Sequence, residues 1–201
     1  MNIQTAIDSA NFGKSKLTAE VIHKLDGLSS PKVWHLLNNL VAQSKAYLEV
    51  GCFKGSTLLA ALYNNPVYAV AIDNFIMSPG TRQEFFDNTK DAKFEFHEGD
   101  AFSFNIKKIK QPIDLYFYDG AHTAEAQYNA LMHFAGALAK EFTFVCDDWD
   151  LSKMKTCSLS AVKDLGFTLL EMHELKGYTL GTLEERKASW WGGIGILRIK
   201  K

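Results

Sequence analysis

The chain predicts an α/β protein: a mostly parallel sheet with helices on both faces. Three observations carry this. From about residue 46 onward, short apolar runs alternate with helical segments. Most of those runs are nearly continuous in apolar residues, as strands covered on both faces should be. Finally, 201 residues at 47% hydrophobic content suffice for one well-buried core and fall short of the length at which a second is expected.

The elements follow in order. Two helices are expected before the first strand; the second begins at Ser29 or Ser30, either of which can cap it, and Pro31 supplies a fixed φ at the first helical position. Strands are expected at 46–50 (AYLEV), 67–72 (VYAVAI), 94–99 (FEFHEG), 113–119 (IDLYFYD), 142–147 (FTFVCD), 167–175 (FTLLEMHEL) and 193–200 (GIGILRIK). Helices at 56–63, 81–89, 124–138 and 152–165 lie between them, at spacings that suit right-handed crossovers. The stretch LKGYTLGTLEERKASWWGG reads as helix-free, so the last two strands are expected to pair antiparallel at one end of the sheet.

Net charge is −1 and no long stretch is dominated by one sign, which removes the electrostatic footprint of a nucleic-acid or anionic-membrane binder. No run approaches 18 apolar residues and the N-terminus lacks an apolar leader core, so the cytoplasm is the expected location. Cys52, Cys146 and Cys157 are odd in number and widely spaced, and are expected to be small buried apolar residues.

YLEVGCFKGST runs strand, glycine turn, helix, a place where backbone N–H groups approach a ligand closely. Gly51 and Gly55 are expected to keep that approach clear. The turn is neither a Walker A loop nor GxGxxG. Asp73 closes the next strand, where an acid can hold ribose hydroxyls, and Asp100 ends the third, near the place of an adenine edge.

These motifs together, ExGxxxGxS/T, a strand-ending acid and EGDA, resemble the class I S-adenosylmethionine (SAM)-dependent methyltransferases from about residue 46 to the C-terminus. The resemblance implies a Rossmann-like seven-stranded sheet of order 3-2-1-4-5-7-6 with strand seven antiparallel. It implies one domain over 1–201: N-terminal helices over 1–45, candidates for a lid or an interface, and a SAM-binding core over 46–201. It implies a cofactor site from Glu49, Gly51, Cys52, Phe53, Gly55, Ser56, Asp73, Asn74, Asp100, Ala101 and Asp119. Glu49 and Gly51 would line the methionine part, Asp73 the ribose, and Asp100 with Ala101 the adenine.

Ligands gather beyond the carboxyl ends of parallel strands, and the fourth and fifth strands should be neighbours there. Asp119, in YDGAH, then faces Asp147 and Asp148, in VCDDW. Three bare carboxylates raise one another's pKa; a divalent cation removes the conflict and prefers oxygen ligands. The same segments resemble the metal-dependent O-methyltransferases of the catechol and macrocin types, which implies Mg²⁺ held by Asp119, Asp147 and Asp148.

Methyl transfer is an in-line displacement, so the protein must align acceptor and methyl and take a hydroxyl proton. His122 and Asp119 are the candidate bases. Trp190 and Trp191, before the last strand, are candidates for core, dimer contact or stacking on an acceptor. The expected function is O-methylation of a sugar-like or catechol-like small molecule, with no nucleic-acid or membrane partner and with a homodimer as a candidate assembly. The alternatives are a metal-independent SAM enzyme using His122 as base and a non-catalytic nucleotide-binding module.

Overall fold

The computed structural model describes residues 2–76 and 79–201. Seven strands form one sheet: β1 (Ala46–Val50), β2 (Tyr68–Asp73), β3 (Glu95–Glu98), β4 (Ile113–Tyr118), β5 (Leu138–Cys146), β6 (Thr168–Leu175) and β7 (Ile194–Lys200). Their order is β3-β2-β1-β4-β5-β7-β6, as the resemblance implies. The β1–β2, β1–β4, β2–β3 and β4–β5 pairs are parallel. Strand β7 runs antiparallel to both β5 and β6.

Three helices precede β1: α1 (Ile3–Asn11), α2 (Ala19–Lys24) and α3 (Pro31–Val41). The sequence reading allowed two. The extra turn is α2, six residues begun by Thr18, whose hydroxyl accepts from Val21 N–H. Ser30 is the residue that caps α3, with Pro31 following. Then come α4 (Ser56–Leu62), α5 (Thr81–Thr89), α6 (Ala124–Phe134) and α7 (Ser152–Asp164); α4, α5 and α7 keep close to their expected bounds, whereas α6 stops at Phe134 and the expected end, Leu138, already belongs to β5. The 175–192 connection is not helix-free. It carries α8 (Leu183–Ala188), started by a capping box in which Thr182 and Glu185 satisfy each other's backbone N–H. Strand β5 also begins earlier than expected, at Leu138, through polar residues that pair at the sheet rim.

Alternate side chains of the central strands serve two cores. Tyr47, Leu115, Phe117, Val145 and Ile196 pack under α1, α3 and α4. Leu48, Val50, Tyr116, Phe144 and Cys146 pack with residues of α6 and α7. All five residues of β1 are buried, which requires cover on both faces. Each large apolar side chain so buried contributes roughly 1.5–3 kcal/mol. Helices α1 and α3 thus bury Ile3, Ile7, Leu36, Leu37 and Leu40 as part of a structural layer. Cys52 and Cys146 are buried as expected, whereas Cys157 is only half-buried, because it lies off the packed stripe of α7. Among the described residues no helix is long and apolar enough to cross a membrane.

Candidate active site

The carboxyl ends of the strands are stitched together one step past the sheet. Gly99 N–H donates to Asp73 C=O (2.9 Å), Gly51 N–H to Ile72 C=O (3.0 Å), Asp119 N–H to Val50 C=O (2.8 Å) and Asp147 N–H to Tyr118 C=O (3.1 Å). Trp149 N–H donates to Gly193 C=O (3.0 Å), which adds the start of β7. Parallel register therefore carries the predicted residues of β1 through β5 to one edge.

At the β1–α4 turn, Gly51 and Gly55 adopt φ of +87° and +85°, and Phe53 between them +51°. The expected reason for the glycines needs correction. A Cβ on Gly51 would stand 1.9 Å from the Asp119 carbonyl oxygen, and one on Gly55 2.7 Å from Thr89 Cγ2. Protein atoms fill the space those side chains would take; the glycines let the end of β4 and helix α5 close in. Asp73 holds the turn. Its Oδ2 accepts from Cys52 N–H (2.6 Å) and Phe53 N–H (2.9 Å), and its Oδ1 from Phe75 N–H (2.7 Å). Asp73 is only half-buried, and a carboxylate offers about four acceptor positions, so it keeps capacity for a ligand hydroxyl.

Glu49 lies wholly inside. It is 0% exposed; its Oε1 accepts from Thr57 hydroxyl (2.6 Å) and its Oε2 from Tyr47 hydroxyl (2.5 Å). Burial pushes its carboxyl up to about 8, against the two hydroxyl donors, so it is largely neutral at pH 7. Tyr47 and Thr57 were missed in the sequence, although Tyr47 is two residues from Glu49 and must share its strand face. Ser56 is buried beneath Gly27, where an added Cβ would come within 2.2 Å of Ser56 Oγ, and Cys52 is buried with its thiol toward Ile72 C=O. Asn74 is exposed, its Oδ1 accepting from Ile76 N–H. Asp100 is exposed and caps the short turn that follows, accepting from Phe102 N–H and Ser103 hydroxyl; Ala101 beside it is half-buried.

Asp119, His122, Asp147 and Asp148 come together. His122 Nδ1 lies 2.7 Å from Asp148 Oδ2, and Nε2 lies 3.4 Å from Asp119 Oδ1. Consecutive residues of a strand point to opposite faces, but Asp148 adopts φ +52°, which turns its carboxyl to the side that Asp147 faces. Asp is one of the few residues that tolerate this conformation. Burial, then the charges of Asp119 and Asp148, push the Asp147 carboxyl well above the usual range. Burial also raises Asp119. The Asp119 and Asp148 carboxylates together hold the His122 imidazole up to about 10, so it carries a positive charge at neutral pH.

The set does not fit Mg²⁺ in this arrangement. Among the described residues no group of three or more His, Cys, Asp or Glu side chains is placed to hold a metal ion. His122 stands between Asp119 and Asp148, and Asp148 Oδ1 lies against Gly192, so the imidazolium supplies the neutralising charge. A cavity of about 260 Å³ between Ile106, Pro112 and Gly136 lies at the other edge of the sheet and holds none of these residues.

A family model described as "Methyltransferase domain" matches residues 48–149, from β1 to just past β5. No curated protein matches the chain in sequence. Among solved structures, the SAH-bound methyltransferase PaMTH1 of Podospora anserina aligns with TM-score 0.66 and 15% identity over 100% of this chain and 97% of its own. The O-methyltransferase TomG of Streptomyces achromogenes, involved in tomaymycin synthesis and solved with SAM, gives 0.65 and 16% over 100% of both chains. An O-methyltransferase of Bacillus cereus in complex with SAH gives 0.65 and 12% over 99% of this chain and 100% of its own. At such identities the likeness is one of fold.

Proposed function

The chain belongs to the methyltransferase-domain family, and from that premise we propose that it methylates a hydroxyl of a small molecule at the expense of SAM. The observation that carries the reading is the adjacency of two sites along one sheet edge. The Asp73-held turn ends β1 and β2, and the Asp119–His122–Asp148 cluster ends β4 and β5, joined through Gly51 against Asp119. The chemistry of the residues suits SAM: Asp73 retains acceptor capacity for a ribose hydroxyl, and Asp100 is exposed where an adenine would lie. The cluster's carboxyls favour a cationic neighbour.

SAM supplies a methyl group on a positively charged sulfur. In the displacement, the acceptor oxygen–carbon bond forms as the sulfur–carbon bond breaks, leaving neutral SAH, and the hydroxyl proton must leave. We assign that proton to Asp119. His122, charged at neutral pH, cannot take it and instead holds Asp119 and Asp148 in place. Accordingly Asp119→Asn should lower turnover more than His122→Gln.

The second reading puts Mg²⁺ on Asp119, Asp147 and Asp148 and requires His122 to leave its place between Asp119 and Asp148. Its supporting observation is the charge count, three acids against one imidazolium, with Asp119 and Asp147 raised. Exhaustive EDTA treatment separates the two: full activity supports the imidazolium arrangement, and loss restored by Mg²⁺ supports the metal. Calorimetry with SAM, SAH and NAD tests the common premise. The first two should bind and NAD should not; NAD binding alone would overturn both readings.

A further inference from the structure

Among the described residues two cations, Lys32 and Arg186, lack acidic partners and lie over tryptophans of the loop before β7. Arg186 Cζ sits 4.0 Å from the ring centroid of Trp191, and Lys32 Nζ 5.9 Å from that of Trp190. Among the described residues no carboxylate lies within 4.0 Å of either, whereas the two other arginines, Arg82 and Arg198, pair with Glu98 and Glu141. Arg186 is half-buried, with its Nε enclosed and unpartnered. Lys32 occupies the first turn of α3, where positive charge opposes the helix dipole, so helix stability does not account for it. Ser30 hydroxyl donates to Ser189 C=O (2.7 Å), which fixes the start of α3 against the tryptophan pair.

We infer that Lys32 and Arg186, laid across Trp190 and Trp191, form an anion subsite for the methyl acceptor, whose hydroxyl-bearing body carries a carboxylate. The inference rests on the proposed methyltransferase reading and gives its acceptor a class. Proximity comes from the chain: Trp191 precedes Gly192, where an added Cβ would stand 2.0 Å from Asp148 Oδ1, and Asp150 N–H donates to Gly192 C=O (3.2 Å). The loop that carries the two tryptophans is thus the loop that packs against the carboxyl beside His122. An anionic acceptor is repelled by the acidic cluster unless cations hold its far end. A guanidinium stacked on an aromatic face with its Nε enclosed still offers its two Nη groups, and that end matches a carboxylate. Tyr178 and Leu183, 58% and 57% exposed, add apolar surface to the connection that carries Arg186.

The test uses protocatechuate and its uncharged amide, titrated into SAH-saturated protein and followed by tryptophan fluorescence and calorimetry. Protocatechuate should bind the wild type at least about tenfold more tightly than the amide, the value of one charge-assisted hydrogen bond. Arg186→Gln should erase the preference, Arg186→Lys should keep part of it, and SAH affinity should be unchanged in both. Should Arg186→Gln lose SAH binding through misfolding, Lys32→Gln is expected to weaken the preference in its place. Equal affinity for the two probes, binding of neither by wild type that binds SAH, or a preference that survives Arg186→Gln would overturn the subsite. Wild type that binds no SAH would overturn the methyltransferase reading, and the subsite with it.

Discussion

Asp148 and Glu49 show how much of the site depends on single side chains whose surroundings are remote in sequence. The left-handed turn at Asp148 brings two neighbouring acids to one place, and the pairing of VCDDW with YDGAH was legible because parallel strands must end together. The charge state of His122 was not legible, because it depends on two carboxylates, one of them 26 positions away. Nor was the true reason for Gly51, since the Asp119 carbonyl that fills its Cβ space belongs to another strand. Gly51→Ala should therefore act on the fold. A positive φ and a backbone clash together should lower stability by at least about 2 kcal/mol, a fall in Tm of roughly 4–8 °C. Glu49 titrates at about 8 when folded and near 4.5 when unfolded, so the folded state binds more protons between those values and loses stability as pH rises through them. Complete titration corresponds to about 5 kcal/mol as an upper bound. Glu49→Gln removes this dependence: in denaturant unfolding from pH 5 to 8, wild type should weaken relative to the variant, and parallel curves would refute the buried neutral carboxyl.

Elements differed in how well they announced themselves. Buried strands and helices α3, α4, α6 and α7 have apolar signals, because a sheet covered on both faces demands them, whereas α5 packs mainly through Phe85 and Phe86. The six-residue helices α2 and α8 bury no residue fully, so periodicity had nothing to report. For α8 the signal was instead local: Thr182 and Glu185 at capping-box spacing, in a stretch read as loop. The cap should govern that helix alone. Thr182→Ala should cost about 1 kcal/mol locally, visible as faster amide exchange over 183–188 with little change in Tm. The first residues of β5 escaped notice because Lys140 and Glu141 are exposed at the sheet rim, where pairing tolerates polar side chains.

Across the whole molecule, strand order gathers scattered acids along one edge of the sheet. Placing β1 between β2 and β4, with β5 next, sets the Asp73 turn beside the Asp119–His122–Asp148 cluster, while the antiparallel β7 delivers Trp190 to Gly193 to the same rim. Glu49, Asp119, Asp147 and His122 all have raised pKa values, so protons are held more tightly folded than unfolded. Stability contributed by His122 is complete below about 6.5 and is lost as pH rises toward 10. The edge is thus built to hold positive charge, whether from protons or from a sulfonium ligand. The most direct measurement is a diffraction map of the protein with SAH bound. Density should show the ribose at Asp73 and the sulfur facing the Asp119–His122 pair; SAH lodged away from this edge, or a sulfur shielded from Asp119 by intervening protein, would contradict it.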